Sequence, residues 1–255
     1  MIDFIKNIAR QAGRIALDQR RQFDETQIHV KGTDTDLVTD VDRQIEKFLI
    51  DAIQSRYPDH GFYGEETGVT NANSEYRWVI DPIDGTTSYI HDFHFYSVSI
   101  ALQQNKKNIA GVVYAPKLDE LFSAEKGSGA ELNGRPIRVS SRPTLRESLL
   151  GTGFACIRAR LAENNLKYFA RIVPEVRGIR RTGSAALDLC NVACGRFDGF
   201  WEMELNLYDI AAGALILEEA GGLLTDFKGG FDVPASGTVA TNRLIHEELL
   251  KYLQD

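Results

Sequence analysis

In the stretch Trp78-Val79-Ile80-Asp81-Pro82-Ile83-Asp84-Gly85-Thr86-Thr87, an apolar run of strand character ends in two carboxylates three residues apart. Gly, Thr and Thr follow at once, and then an apolar segment. Two carboxylates at the end of a buried strand are costly unless a cation holds them. A Gly-Thr-Thr helix start offers free backbone N–H groups and hydroxyls, which suit a phosphate. Cation and phosphate side by side point to metal-assisted phosphoryl chemistry.

Two more acidic elements flank this one. Gly64-Glu65-Glu66 follows the strand-like His60-Gly61-Phe62-Tyr63, and Leu207-Tyr208-Asp209 opens an apolar helix that leads to Glu219-Ala220-Gly221-Gly222. Gly183-Ser184-Ala185-Ala186 lies between them. In this order the five elements resemble the inositol monophosphatase family, Mg-dependent and lithium-sensitive phosphatases, over nearly the whole chain. The resemblance implies an α/β (α+β) fold, a layered αβαβα sandwich. Its larger lobe would carry an antiparallel sheet flanked by the first two helices, its smaller lobe would be α/β, and the site would lie between them.

Composition sets the bounds. A chain of 255 residues can bury a sizeable core, and 43% apolar with 25% charged residues is ordinary for a globular protein. No apolar run reaches the roughly 18 residues of a membrane span, and the start, Met1-Ile2-Asp3-Phe4, has no signal-peptide layout. A net charge of −7 disfavours nonspecific binding to nucleic acid. Cys156, Cys190 and Cys194 make no disulfide framework and read as small core residues of a cytoplasmic protein.

Periodicity predicts helices over 2–24 and 40–56, the second ended by Tyr57-Pro58-Asp59, with a polar, mobile loop at 28–38 between them. From 76 to 139 the pattern is an antiparallel β-meander, closed by a hairpin with an Asn133-Gly134 turn. After Ser140, strands and helices alternate: helices near 161–173, 184–194, 209–220 and from 243, and strands at 149–152, 178–181, 199–202, 223–226 and 238–241. The expected division is 1–140, with most metal ligands, and 141–255, with the substrate residues and one metal ligand.

Read singly, Asp84 and Asp209 suit helix capping as well as metal binding. The resemblance assigns Glu65, Asp81, the Ile83 carbonyl, Asp84 and Asp209 to two or three Mg²⁺ ions, and hard oxygen donors also admit Mn²⁺. It makes Gly85 and Thr86 the phosphate cradle. It pairs Asp42 with Thr86 to activate the attacking water, beside Glu65, although Thr39 and Asp42 also read as a capping pair. Glu202 would accept hydrogen bonds from inositol hydroxyls, with Gly183, Ser184 and Ala185 facing the same substrate, alongside Ile83, Asp84 and Asp209. Glu202 alone would also suit a surface position.

Arg180 and Arg181 suit an anionic substrate or an ion pair with Asp188, and Lys31 a mobile-loop contact or plain solvation. His91 and His94 lack further zinc ligands and read as rim residues. Tyr208 stands where the family usually has Trp, and Ser88 where inositol-specific members have Asn. The expected reaction is hydrolysis of a small phosphate monoester, foremost inositol 1-phosphate. Fructose 1,6-bisphosphate, histidinol phosphate or a nucleotide phosphate are the alternatives, and a partner-binding scaffold is the alternative of another class. The resemblance also implies a homodimer.

Overall fold

The apolar stripe of the first helix, α1 (Ile2–Arg20), buries Ile5, Ile8, Ala9, Ala12 and Ala16. The computed structural model describes residues 1–24, 26, 28–30, 37–234 and 237–254; Lys31 and the rest of 31–36 lie outside them. The flanks of that segment, β1 (Ile28–Val30) and β2 (Leu37–Thr39), pair antiparallel where a loop was expected. Helix α2 (Asp40–Arg56) starts in a capping box between Thr39 and Asp42.

An eight-stranded sheet follows: β3 (Gly61–Gly64), β4 (Gly68–Thr70), β5 (Tyr76–Asp84), then, after the short α3 (Thr86–Ile90), β6 (Ser97–Gln104), β7 (Lys107–Ala115), β8 (Glu120–Glu125), β9 (Ala130–Leu132) and β10 (Arg135–Pro136). Its order is β10-β9-β8-β7-β6-β5-β3-β4. The meander holds from β5 onward, with Asn133 and Gly134 in the left-handed turn the sequence called for. β3 pairs parallel to β5, because β4 first turns back along the outer side of β3.

The second half gives β11 (Leu149–Thr152), α4 (Ala155–Arg158), α5 (Leu166–Ile172), β12 (Gly178–Arg180), α6 (Ala185–Ala193), β13 (Gly199–Glu202), α7 (Leu207–Glu219), β14 (Leu223–Thr225), β15 (Thr238–Thr241) and α8 (His246–Leu253). The helix expected over 161–173 begins only at Leu166. Asn164 takes the Leu166 N–H at 3.1 Å, and Asn165 turns its amide into the core. The five strands form a mixed sheet, order β12-β11-β13-β15-β14.

Five layers result. On the large sheet, Trp78 and Ile80 of β5 face the cluster of Ile5, Ile45 and Leu49 from α1 and α2. Val79, one residue out of phase, faces α6 and α7. The other side of that helical layer meets Phe200 and Ala240 of the small sheet, and Trp201 and Val239 point on to Ile245 and Leu249 at α8. Helix α7 is apolar around its whole circumference because it lies between two sheets, with Ile210 to Leu217 all buried.

Asp198, fully buried, ties the start of the small sheet to the linker. It accepts the Leu149 N–H at 2.8 Å and the Arg142 guanidinium at 3.0 Å, and takes the Ser140 hydroxyl. Asp198→Ala strips a buried N–H and a hydroxyl of their acceptor. We expect a loss of about 1–3 kcal/mol in urea unfolding. A change within error would mean that water replaces the carboxylate there.

Candidate active site

Asp81 and Asp84, three residues apart on a regular strand, would point to opposite faces of the sheet. A bulge prevents this. Asp81 pairs with Ser99 and Asp84 with Ser97, so β5 holds one residue more than β6 over this interval. Both carboxylates are thereby aimed the same way. Gly85 then turns the chain at φ 98°, and a Cβ there would come within 3.0 Å of the Gly183 and Phe95 carbonyl oxygens. Thr86 opens α3, a helix of five residues.

Asp209 reaches the same point from α7. Carboxylate oxygens of Asp81, Asp84 and Asp209 lie within 4.8 Å of one another. A second group with the same spacing joins Asp42, Glu65 and Glu66, so Glu66 adds a donor that the resemblance did not single out. Buried Glu46 holds this loop by accepting the Glu66 and Thr67 N–H groups at 2.9 and 2.7 Å.

Asp84 does not cap the helix that follows it, whereas Asp209 takes part in the capping box that opens α7. Asp84 is the last residue of β5, and its carboxylate caps α6 instead: it takes the Ser184 hydroxyl and the N–H groups of Ala185 (3.3 Å) and Ala186 (2.8 Å). The donors expected to face substrate at Ser184 and Ala185 are therefore engaged by a carboxylate, drawn there by the positive end of α6. Asp209 sits in the first turn of α7, where it accepts the Asn206 N–H.

Asp42 serves two partners. One oxygen accepts the Thr39 N–H at 2.9 Å and the Thr39 hydroxyl; the other faces the Thr86 hydroxyl at 3.4 Å. That hydroxyl also reaches the Ile83 carbonyl at 3.3 Å. Capping and the Thr86 pairing thus coexist in one carboxylate.

Burial dominates the electrostatics. It pushes Asp42 up to about 7, with Glu65 adding repulsion against the Thr39 hydrogen bonds. It pushes Asp84 up to about 6 against the opposing bonds from α6. Asp81 is held well above the carboxylate range by burial and then by Glu65, Asp84 and Asp209, and Asp209 likewise by burial and then Asp84. One oxygen of Asp81 is buried with no hydrogen-bond partner among the described residues. A buried, unpartnered carboxylate oxygen amid other carboxylates fits a hard divalent cation.

Glu65, Asp81, Asp84 and Asp209 line a cavity of about 230 Å³, which Thr152, Gly153, Ala155 and Glu202 line as well. Glu202 is buried and accepts the Ala155 N–H at 3.0 Å; burial lifts it to about 7, which that bond, Arg158 and Arg181 oppose. A Cβ on Gly153 would lie 2.0 Å from a Glu202 oxygen, so only glycine admits the carboxylate. Asn165 braces this wall. It donates to Thr152 Oγ1 (2.9 Å) and the Gly153 carbonyl (2.6 Å) and accepts from Trp201 Nε1 (2.6 Å). Gly153 and Asn165 were not singled out by sequence reasoning, because nothing local marks them.

Gly183, Ser184 and Ala185 line the cavity, as do Arg181 and Asp188; His91 and His94 are exposed away from it. Asp188 takes the Thr182 hydroxyl at 2.6 Å, and Arg180 bonds the Ile179 carbonyl at 3.0 Å. Glu219 lies elsewhere, accepting the Gly127 and Gly129 N–H groups at 2.7 and 2.8 Å. Cys156, Cys190 and Cys194 are free, and among the described residues no helix is long and apolar enough to cross a membrane.

Known proteins resemble this chain over its whole length. The model of the inositol monophosphatase family matches residues 1–255. An inositol-1-monophosphatase of Mesorhizobium japonicum is 40% identical over 253 residues, 98% of this chain and 95% of that protein. A protein of Pseudomonas aeruginosa named Nus factor SuhB is 41% identical over 260 residues, 100% of this chain and 96% of its own. The crystal structure of the extragenic suppressor protein suhB of Bartonella henselae superposes with a TM-score of 0.92 at 39% identity, covering 99% of this chain and 98% of the other.

The raised carboxylates make a pH prediction. Asp42, Glu202 and Asp84 titrate near 7, 7 and 6 when folded, against ordinary values of 3.8, 4.5 and 3.8. Such groups favour the folded state below their ordinary pKa, and that contribution is lost as pH rises through the folded value. The chelated protein should therefore lose stability between about pH 4 and pH 7, and a divalent cation should restore most of it. Asp81→Asn should raise the stability of the chelated protein at about pH 8, where repulsion is greatest. Urea unfolding with EDTA at both ends of the window measures both effects; a flat profile and a destabilised variant would refute the repulsion.

Proposed function

Since the chain belongs to the inositol monophosphatase family and is a phosphoric monoester hydrolase, we propose that it uses Mg²⁺ to hydrolyse inositol 1-phosphate to myo-inositol and phosphate. The observation that carries this reading is the convergence of Asp81, Asp84 and Asp209 beside Gly85 and Thr86, in one cavity with Glu202.

Asp81, Asp84 and Asp209, with the Ile83 carbonyl and Glu65 nearby, would hold two or three Mg²⁺ ions, and Mn²⁺ is an admissible substitute. When bound, such cations neutralise the phosphate dianion and acidify water. Thr86 donates to Asp42 and can accept from the attacking water, so the proton leaving the nucleophile moves toward Asp42. The Thr39 bonds hold Asp42 in place for this, and a folded pKa of about 7 suits a base at neutral pH. Gly85 lets a phosphate oxygen approach the backbone. Glu202 accepts from ring hydroxyls and orients the ester for in-line attack. The resemblance supports a homodimer, and the free thiols a cytoplasmic protein.

A second role is favoured by the name Nus factor carried by the Pseudomonas aeruginosa relative. It would have this chain bind a macromolecular partner besides its substrate. A pulldown with Asp84→Asn as bait separates such binding from turnover.

Activity should vanish with EDTA and return with Mg²⁺, and millimolar lithium should inhibit it. Full turnover after exhaustive chelation would exclude the metal reading. Glu202→Gln separates substrate choice from chemistry. A hydrogen bond to a charged group contributes roughly 1.5–3 kcal/mol, so kcat/KM for inositol 1-phosphate should fall roughly tenfold or more, with a smaller loss on glycerol 2-phosphate. Equal losses on the two esters would place Glu202 in support of the metal residues or the fold.

A further inference from the structure

Asp188 is buried and lines the cavity, yet the proposed reaction gives it no role. It stands in the first turn of α6 and takes the Thr182 hydroxyl at 2.6 Å. That bond reaches back across the turn Thr182-Gly183-Ser184, which leads into the helix. Capping does not call for it, because Ser184 is already the N-cap and accepts the Leu187 N–H at 3.2 Å. Its charge is unwelcome there. Burial drives its pKa well above the carboxylate range; the Thr182 bond opposes this, while Glu202 and Asp84 add repulsion. A buried carboxylate in such company is costly, and the turn it holds shows what it supplies.

The donors that follow this turn converge on one carboxylate. Asp84 takes the Ser184 hydroxyl, the Ala185 N–H at 3.3 Å and the Ala186 N–H at 2.8 Å. The turn also rests on α3. The Ser88 hydroxyl oxygen lies 3.5 Å from the Thr182 carbonyl oxygen, and a Cβ on Gly183 would come within 3.0 Å of that hydroxyl. Behind Asp188, a Cβ on Gly151 would lie 3.4 Å from its carboxylate carbon, so β11 packs against it. The turn is thus held between α3 and Asp188, and the Thr182 hydroxyl joins it to the latter. We infer that Asp188 is a positioning residue: through Thr182 it fixes the turn that presents the α6 donors to Asp84, and so sets where the Asp84 carboxylate stands relative to Asp81 and Asp209. This rests on the phosphatase reading above, in which Asp84 holds a cation. Groups that orient a metal-binding carboxylate change metal affinity or activity roughly 10–100-fold when removed.

Asp188→Ala should lower kcat for inositol 1-phosphate roughly tenfold, with a much smaller change in KM. It should weaken Mn²⁺ binding, read by calorimetric titration, by a similar factor. Asp188→Asn keeps an oxygen for the Thr182 hydroxyl and should recover most of both. Thr182→Val removes the donor and keeps the shape, so it should reproduce the alanine losses; added to Asp188→Ala it should cost nothing more. A merely structural residue gives another pattern: weaker resistance to urea, with kcat and Mn²⁺ affinity of the folded variants at the wild-type level. That pattern overturns the positioning role, as does an asparagine variant impaired as far as alanine. If Asp188→Ala does not fold, the other two variants decide. Impaired Thr182→Val beside near-normal Asp188→Asn supports the role, and a wild-type Thr182→Val refutes it. If the wild-type protein hydrolyses no ester, the phosphatase reading fails on its own, and the Mn²⁺ affinities of the same variants still test the positioning of Asp84.

Discussion

Asp81, Asp84 and Asp209 bring carboxylate oxygens within 4.8 Å of one another inside a folded protein, and Asp42, Glu65 and Glu66 form a second such group. Mutual repulsion and lost hydration work against the fold at this point, as the raised pKa values of Asp42, Asp81, Asp84 and Asp209 register. Much of the surrounding architecture offsets that cost. The α6 terminus donates to Asp84, the Asn206 N–H to Asp209 and the Thr39 capping box to Asp42. One Asp81 oxygen has no donor among the described residues, which leaves it the natural point for a cation.

Holding the cluster together requires rigid supports from distant parts of the chain. The bulge in β5 turns two aspartates onto one face, and the large sheet on either side keeps that strand from relaxing. Asp209 rides on α7, a helix clamped between two sheets and apolar on every side. A helix so placed has little freedom to retreat from its neighbours' charge, because its packing against both sheets would be lost. The division near residue 140 falls between the two sheets, but α6 and α7, from the second half, pack on the sheet of the first.

The rest of the cavity lining follows another logic. Glu202, Gly153 and Ala155 are placed by backbone hydrogen bonds and by Asn165, which joins the end of β11 to β13 through Trp201. Here the Glu202 carboxylate is set among hydroxyl and amide groups, and Arg158 and Arg181 line the same cavity.

Much of this was legible in the residues themselves. The apolar run into Asp81 and Asp84 marked a buried strand entering a charged site, the capping pair at Thr39 and Asp42 marked the start of α2, and Asn133-Gly134 marked the hairpin, because each depends on neighbours within a few positions. What distant segments do to one another was not legible. The carboxylate of Asp84 caps a helix about a hundred residues away, the donors of Ser184 and Ala185 face that carboxylate, and Gly153 is glycine because Glu202 arrives from another strand. The sequence by itself determined the acidic motifs, the periodicities and the family to which they belong. Which carboxylates lie together and which residues share their cavity became visible in the folded chain alone, since those relations depend on distances that form when β5, α7 and β13 are packed together.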